Sequence, residues 1–490
     1  MAPGLIFFFK KPENREGRGS HCAGGAIWRI ARLTMTQPPF SPYRIAKSDP
    51  ILPVAAIVMA FAALVFWRLG TPSKIMFDEV HYLPAARHLI DLSSRLNPEH
   101  PLLGKELIAL GMMTFGDNPF GWRFFIAAYG TIGLYAAIRA FWWASFSRVG
   151  TVLFGLFLAT NFIWFMLSRI AILDMAMAAS LALAFWQWAL AARKGRRVHL
   201  VLAGVAMGLS MAGKWNGVPL MALPGLWYAW DRWQAARASG WRRGLDWLVG
   251  RAGGAVPGVC LVEAALWLGV LPVLVYFATF TPAMFYKVGA ISPWHLIEWQ
   301  QTMLKLQDSV VKPHRYMSHW YQWMLNARPI WFFYEKWDGA QRGVLMIGNP
   351  YTMWAGLPAL VWCLADGLRR VMPRPLAGLN RLGRWAPDGQ GRLAALAGGL
   401  VLFYFLSLVF WALNGKPVQF YHHYQLAAVF LDGALALVLA KLWGRGLRWP
   451  TWVSVALALI GFAYFFPILA ALPLAGPKSF KWFMWLPIWK

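Results

Sequence analysis

The feature that most constrains the fold of this chain is a series of long apolar segments separated by short polar ones. Most have about the 17–25 residues that a helix needs to cross a bilayer. In lipid, a spanning segment must satisfy its own backbone polar groups, which a helix does. The sequence therefore predicts an all-α polytopic membrane protein with about eleven transmembrane helices. The predicted spans are residues 51–67, 124–143, 151–167, 173–192, 200–212, 218–230, 254–280, 351–368, 393–413, 420–440 and 451–472. The fifth and sixth are short and are interpreted as a hairpin.

Composition agrees with this prediction and excludes other classes. Hydrophobic residues make up 59% of the chain and charged residues 14%, against about 45–50% and about 25% in soluble domains. Cys22, Cys260 and Cys363 share no CxxC spacing, so neither a disulfide framework nor a zinc knuckle is indicated. The chain has no GxxxxGK[ST] and no GxSxG motif, so nucleotide-driven transport and hydrolase chemistry lack their signatures.

The net charge of +27 is distributed in a way that indicates membrane topology. Lysine and arginine collect in cytoplasmic loops, and here basic clusters fall at every second boundary between spans, which argues against nucleic-acid binding. The clusters are Arg44/Lys47, Arg139/Arg148, 193–197, 232–251, 369–392 and 441–448. This alternation predicts a cytoplasmic N-terminus and two long outer loops, 70–123 and 281–345, in which we expect juxtamembrane helices.

The predicted organisation has four parts. Residues 1–49 form a cytoplasmic N-terminal segment, and Met35 is an alternative start that would leave 1–34 untranslated. Residues 50–280 form an N-terminal transmembrane catalytic module that includes the outer loop 70–123. Residues 281–345 form the second outer loop, and residues 346–490 a C-terminal module of four spans.

Charged side chains are concentrated at the outer ends of the spans, where they are costly and are usually paired or functional. They are Asp78, Glu79, Lys105, Glu106, Arg123, Arg169, Asp174 and Lys214. The adjacent carboxylates Asp78 and Glu79 are typical of a proton-accepting site, because a like-charged neighbour raises a carboxyl pKa. The alternative is that Asp78 and Glu79 are solvated side chains at the start of a loop and have no catalytic role.

Two pairings within this set also have a structural alternative. Arg169 and Asp174 could form a structural ion pair. Asp78, His81 and His88 have a spacing that places them near one helical face, which suits a metal but is more often a polar face. We therefore predict no metal.

Several motifs in chain order resemble the protein O-mannosyltransferase family, GT-C-type glycosyltransferases that use a polyprenyl-phosphate sugar. They are DEVHY at 78–82, HPLLGK at 100–105, GWRF at 121–124, SRIAILD at 168–174, GLSMAGKWNG at 208–217, HRYMS with RPIW at 314–331, and FYHHY at 420–424. Two departures from the family pattern are Leu102, where the family has a second proline, and Arg315, where bacterial members often have proline. The lumenal β-trefoil insert of eukaryotic members is not seen, so the resemblance is to a bacterial form.

The resemblance implies an inverting transfer of mannose from polyprenyl-phosphate mannose to Ser/Thr hydroxyls of exported proteins. It places the enzyme in a bacterial inner membrane, with its site facing the periplasm or outside, and implies no cofactor. Its expected partners are the lipid-linked donor, the acceptor proteins and the bilayer, without nucleic acid. Sister enzymes that move another sugar to lipid or glycan, such as the lipid A aminoarabinose transferase, remain an alternative, and a secondary transporter is a further one.

The same resemblance, combined with the charge pattern, predicts the roles of individual residues. Asp78 is the expected base and Glu79 its supporting carboxylate. The donor phosphate is expected to contact Arg123, Arg169, Lys214 and Lys105. For Arg123, a tertiary salt bridge, for example with Glu79, is the structural alternative. Supporting or acceptor-side residues are predicted to be His81, His100, Asp174, His314, Arg328 and His423.

Overall fold

Helices account for most of the ordered structure. The computed structural model describes residues 49–238, 245–251, 255–309, 311–371 and 389–489, so the predicted N-terminal segment lies outside the described residues except for Asp49. The first half contains α1 (Ile51–Phe66), α2 (Glu79–Ile90), α3 (Leu103–Phe115), α4 (Pro119–Ser145), α5 (Arg148–Ala159), α6 (Phe162–Leu167), α7 (Leu173–Lys194), α8 (Arg197–Gly213), α9 (Val218–Ala238), α10 (Asp246–Val249), α11 (Leu261–Ala265) and α12 (Leu271–Ala278). The second half contains α13 (Leu296–Asp308), α14 (Trp320–Met324), β1 (Ile330–Trp337), β2 (Ala340–Met346), α15 (Pro350–Val371), α16 (Gly389–Leu413), α17 (Gln425–Gly444) and α18 (Trp449–Leu469).

The predicted helical membrane architecture is confirmed. Among the described residues, six helices are both long and apolar enough to cross a bilayer, and three further apolar helices are shorter. Every predicted span coincides with helical structure, although the number eleven is not established by these helices. The predicted short hairpin consists of α8 and α9, of 17 and 21 residues, which are longer than the sequence indicated.

The predicted span 151–167 is interrupted. Its two pieces, α5 and α6, are separated at Asn161, whose side-chain oxygen accepts the backbone N–H groups of Ile163 and Trp164 at 3.0 and 3.1 Å. Asparagine favours this capping position because its side chain replaces the missing intrahelical acceptor. The amide of Asn161 also donates to Asp432 on α17 at 2.7 Å, which ties the break to the bundle core.

The second outer loop contains strand structure as well as the expected helices α13 and α14. Strands β1 and β2 form an antiparallel hairpin, with Trp337 paired to Ala340 at the tip and a bulge between Trp331 and Phe333. The hairpin is fastened to the first outer loop. Ser73 donates its backbone N–H and its hydroxyl to the Asp338 carboxylate at 2.9 and 2.5 Å.

Two charged pairs involve basic residues that the sequence predicts to lie on the cytoplasmic side. Arg139 follows Arg123 by 16 residues on α4. Its guanidinium donates to the carboxylate of Asp49 at 2.6 and 2.7 Å. Lys441 pairs with Asp366, joining α17 to α15. Arg139 therefore lies toward the opposite end of α4 from Arg123.

Close backbone packing positions the first outer loop over α7. A β-carbon on Gly104 would lie 2.4 Å from Cδ2 of Leu173, so only glycine lets the start of α3 approach α7 this closely. Asp174 is the next residue of α7. The contact therefore brings the predicted site residues of α3 and α7 to the same place.

Candidate active site

Asp78 immediately precedes helix α2, and an aromatic contact of the preceding residue, Phe77, holds its backbone in place. Phe77 has a positive φ of 45°, which is unusual for a residue with a side chain. Its ring stacks on Phe332 of β1, with centroids 4.3 Å apart, and lies edge-on to His422 at 5.8 Å. The hairpin thus fixes the backbone that presents Asp78.

Glu79 is fully buried and its carboxylate is fully occupied. Its oxygens accept the backbone N–H groups of Met76 at 2.9 Å and Ala171 at 3.0 Å. They also accept Nε and Nη2 of Arg123 at 2.7 and 2.9 Å. A carboxylate with four such donors holds the loop together and has little capacity left for a substrate.

The guanidinium of Arg123 is likewise fully hydrogen-bonded within the protein. Besides Glu79, its guanidinium donates to the carbonyls of Leu69 at 3.2 Å, Pro72 at 2.9 Å and Lys74 at 3.3 Å. These bonds engage all five N–H donors of an arginine. The Arg123–Glu79 salt bridge, the structural alternative for Arg123, therefore forms, while the phosphate contact stays a prediction.

Arg169 and Lys105 also hold backbone carbonyls. Arg169 binds the C-terminal end of α1, where a cation is favoured by the helix dipole. Its acceptors are the carbonyls of Leu64, Val65, Trp67 and Arg68. Lys105 donates to the carbonyls of Asn97 and His100, and burial lowers its pKa to about 7. Neither cation is presented as a free phosphate ligand.

Lys214 pairs with Asp174, which is not the partner expected for that aspartate. Nζ of Lys214 donates to both carboxylate oxygens of Asp174 at 2.9 Å each, so the alternative Arg169–Asp174 pair does not form. Both side chains are largely buried. Lys214 also acts electrostatically on Asp78, so this pair lies beside the predicted base.

Asp78 differs from the other two carboxylates because it has no ion-pair partner among the described residues. Its side chain is partly buried, and its hydrogen bond from Tyr82 Oη is long, at 3.5 Å. Burial raises the pKa of Asp78 to about 6, and the nearby Lys214 and Lys416 limit that rise. A carboxylate with this pKa is ionised near neutral pH and still able to take a proton.

The predicted histidines are only partly brought together. Burial and the neighbouring Lys214 lower the pKa of His100 well below its usual value, so it is neutral beside Asp78. His81 is exposed on the first turn of α2 and, like Lys214 and Lys416, acts to lower the pKa of Asp78. His423 is buried and stacks on Trp411 at 3.8 Å, and its Nδ1 accepts the Phe420 N–H.

Two predicted residues of the second outer loop lie away from Asp78. His314 contacts Phe420, and the centroids of the two rings are 5.2 Å apart. Arg328 lines a separate cavity on the far side of the hairpin. The predicted acceptor-side residues His314 and Arg328 therefore lie in two different parts of the structure.

The structure adds two residues that the residue-by-residue prediction omitted. Lys416 lies in the loop before α17; burial lowers its pKa, while Asp78 and Asp174 act to raise it. His422 is buried, and its Nδ1 has no hydrogen-bond partner among the described residues. The signal for Lys416 was present as a lone lysine between two apolar runs, four residues before the start of the FYHHY motif.

No group of three or more metal-ligating side chains occurs within the part of the chain that the structure describes. The spacing of Asp78, His81 and His88 therefore does not form such a group, and Nδ1 of His88 instead contacts Ser94 Oγ at 2.7 Å. The absence of a metal from the reaction stays a prediction.

Two family models match the chain. Residues 99–239 match dolichyl-phosphate-mannose-protein mannosyltransferase, and residues 294–489 match the C-terminal four-span region of protein O-mannosyltransferase. A polyprenol-phosphate-mannose–protein mannosyltransferase of Mycolicibacterium smegmatis is 26% identical over 89% of this chain and 92% of the relative. The similarly named protein of Mycobacterium tuberculosis is 26% identical, over 86% of this chain and 87% of the relative.

One solved structure has the same fold. The S. cerevisiae protein O-mannosyltransferase Pmt1-Pmt2 complex, bound to the sugar donor, aligns with a TM-score of 0.72 at 13% identity, covering 90% of this chain and 92% of the yeast chain. The fold and the two family models together define a polytopic helical membrane protein of the GT-C glycosyltransferase type. The chain belongs to the protein O-mannosyltransferase family, which confirms the resemblance seen in its motifs.

Proposed function

We propose that the protein transfers mannose from polyprenyl-phosphate mannose to Ser/Thr hydroxyls of exported proteins, with inversion at the anomeric carbon. The names of its relatives support the donor and the protein acceptor. The single observation that supports the chemistry is the Asp78 carboxylate, which lacks an ion-pair partner among the described residues. It lies close to two lysines, Lys214 and Lys416.

In the proposed step, Asp78 takes the proton of the acceptor hydroxyl while the hydroxyl oxygen bonds to C1 of mannose. The bond between C1 and the phosphate oxygen breaks, and its electron pair stays on the phosphate. Because a phosphate monoester is already a good leaving group, it needs cations more than a general acid. Attack from the face opposite the leaving group inverts the anomeric centre, as in inverting glycosidases.

The cations available to the phosphate are fewer than the sequence indicated. Arg123, Arg169 and Lys105 hold the protein's own carboxylate and carbonyl groups. Lys214 is anchored by Asp174 next to Asp78, and Lys416 is not paired among the described residues. We therefore assign the phosphate contact to Lys214 and Lys416, and give Glu79, Arg123, Arg169 and Lys105 the role of positioning the loop.

We further propose that Asp78 faces the periplasmic or outer side of a bacterial inner membrane. The alternation of basic clusters along the sequence supports this orientation, because such clusters stay in the cytoplasm. A cysteine introduced at Ser292, in the second outer loop, should react with a membrane-impermeant reagent in intact cells. The parent chain is the control, and reaction only after lysis would reverse the orientation.

The transfer is tested by adding radiolabelled polyprenyl-phosphate mannose to membranes that contain the protein. Label in protein, released by base-catalysed elimination from Ser/Thr, is the expected result. Label in lipid or glycan would identify a sister transferase instead, and label in neither would leave a transporter as the better reading. Membranes with Asp78→Asn provide the matched control for background transfer.

A further inference from the structure

A cavity of about 950 Å³ lies between the β1–β2 hairpin and the C-terminal segment 477–489. It is on the opposite face of β1 from Asp78. Phe332 packs on Phe77, beside Asp78, whereas Trp331 and Tyr334 line the cavity. The bulge at residues 331–333 explains how Trp331 and Tyr334 share one face, so the cavity is separate from the proposed active site.

The walls of this cavity are held in place by the protein itself. Tyr334 Oη donates to the Pro477 carbonyl and accepts the Phe480 N–H, both at 3.0 Å. The Leu474 N–H donates to the Gln341 carbonyl at 2.8 Å, which adds the C-terminal segment to the open edge of β2. A site whose walls are fixed before binding loses less entropy when it takes a ligand.

The charge of the cavity is entirely positive. Arg315, Arg328 and Lys481 line it, and no acidic residue does so among the described residues. The acidic side chains of the hairpin are engaged on its other side, Glu335 with Lys74 and Asp338 with Ser73. All three cations are solvent-exposed, and Arg328 also donates to the Met317 carbonyl at 3.4 Å. A group of cations with no carboxylate beside it favours an anionic ligand, and arginines bind phosphate in a forked geometry.

The position of the cavity indicates which kind of molecule supplies that anion. Its C-terminal wall begins eight residues after α18, the last apolar helix, which ends at Leu469. The same segment exposes Trp482 (60%) and Trp485 (47%), and tryptophan is enriched at the membrane–water interface. The exposed tryptophans therefore indicate that the cavity lies near the membrane–water interface, where lipid headgroups are found.

We propose that this cavity binds the headgroup of an anionic phospholipid, with its phosphate against Arg315, Arg328 and Lys481. The glycerol and acyl ends of the lipid lie along the aromatic wall formed by Trp331 and Phe480. The hairpin connects this site to the catalytic loop through Phe332 and Phe77. Lipid bound here stiffens the element that holds Asp78.

The test uses the purified full-length protein in a neutral detergent, titrated with phosphatidylglycerol or phosphatidylcholine and followed by native mass spectrometry. We expect saturable binding of phosphatidylglycerol and weaker binding of phosphatidylcholine. The double variant Arg315→Gln/Lys481→Gln should lose about fivefold in affinity per removed charge, since each cation near an anionic lipid contributes about 1 kcal/mol. Lys478→Gln, exposed on the same segment but outside the cavity, is the matched control and should bind like the parent protein.

Further measurements separate the sources of the anion. Soluble glycerol phosphate, which carries the same anion without acyl chains, should compete only at far higher concentration. If it competes as well as the lipid does, a free anion is the ligand and the lipid proposal is overturned. Competition by an acidic peptide at matched affinity would overturn it in favour of a protein ligand.

Equal binding of the two lipids, or parent-like binding by the double variant, would also overturn the proposal. Should the double variant fail to elute as a single species, Lys481→Gln alone replaces it. Lys481 is exposed, so we expect this variant to fold and to lose about fivefold in affinity.

Discussion

Asp78 and Glu79 are neighbours in the chain, yet their carboxylates face two differently built regions. The Glu79 region, formed by Glu79, Arg123 and the loop backbone, satisfies the donors and acceptors of both side chains internally. The Asp78 region, formed by Asp78, the Lys214–Asp174 pair and Lys416, leaves Asp78 without an ion-pair partner among the described residues. A charge network that is complete in the free protein holds structure, whereas an incomplete one is available to a substrate.

The largest effect is expected from Arg123→Ala, in the Glu79 region. Removing one partner of a buried ion pair leaves an uncompensated charge and costs about 3–5 kcal/mol. We expect a much lower Tm in detergent, which excess donor lipid does not restore. Arg87→Ala is the control, because its pair with Asp117 is solvent-exposed and should contribute below about 1 kcal/mol. An Arg123→Ala protein with a normal Tm and a raised donor KM would restore the phosphate-clamp interpretation.

The second effect is expected from Asp78→Asn, in the Asp78 region. The change keeps the shape of the side chain but removes the base, so turnover should fall about 100-fold or more. Because Asp78 is not in an ion pair among the described residues, the Tm should change little. Turnover is measured at saturating donor with a Ser/Thr peptide acceptor. Retention of more than about a third of parental turnover would rule out Asp78 as the base.

A smaller effect is expected from Lys416→Gln. A hydrogen bond to a charged group contributes about 1.5–3 kcal/mol, so the variant should raise the donor KM or lower kcat, for a combined loss of about tenfold or more. The acceptor KM should stay nearly unchanged. Lys312→Gln, an exposed lysine of the second outer loop, controls for the lost positive charge. Unaltered donor kinetics would remove Lys416 from the phosphate contact.

The smallest effect is a shift in the pH profile. Asp78 must be ionised to accept a proton, so kcat/KM should rise with pH and reach half its limit near the pKa of about 6. Lys416 stabilises the ionised form and so lowers this pKa. Lys416→Gln should therefore move the midpoint upward, by less than about one pH unit. A midpoint that moves downward, or does not move, would contradict the proximity of the two groups.

Much of the molecule could be predicted from its sequence. The apolar segments gave the helical membrane architecture, and ordered motifs such as DEVHY gave the family. The hairpin was missed because its residues 330–346 mix aromatic and charged side chains without a clear alternation. The break at Asn161 was missed because an apolar run hides a capping residue that is recognised only by the bonds it makes.

The roles of the charged residues were harder to predict because one-dimensional proximity is a poor guide to charge pairing. For Arg123, which has no acidic residue within four positions, the sequence favoured a phosphate contact over the alternative salt bridge with Glu79, 44 residues away, and this salt bridge forms. Lys214 likewise finds Asp174 at a separation of 40 residues. Roles for Asp78 and the other site residues stay predictions until the variants are measured.

The sequence by itself determined that the chain enters a membrane, where its helices lie and which family it belongs to. The first two depend on local apolar length, because each spanning segment must satisfy its own backbone in lipid, and the family depends on short ordered motifs such as DEVHY. Only the tertiary structure decided which charged side chains are paired within the protein and which remain available to a substrate. Coulomb and hydrogen-bond energies depend on distances through space, and folding set those distances by bringing together Arg169 and α1, Arg123 and Glu79, and Lys416 and Asp78.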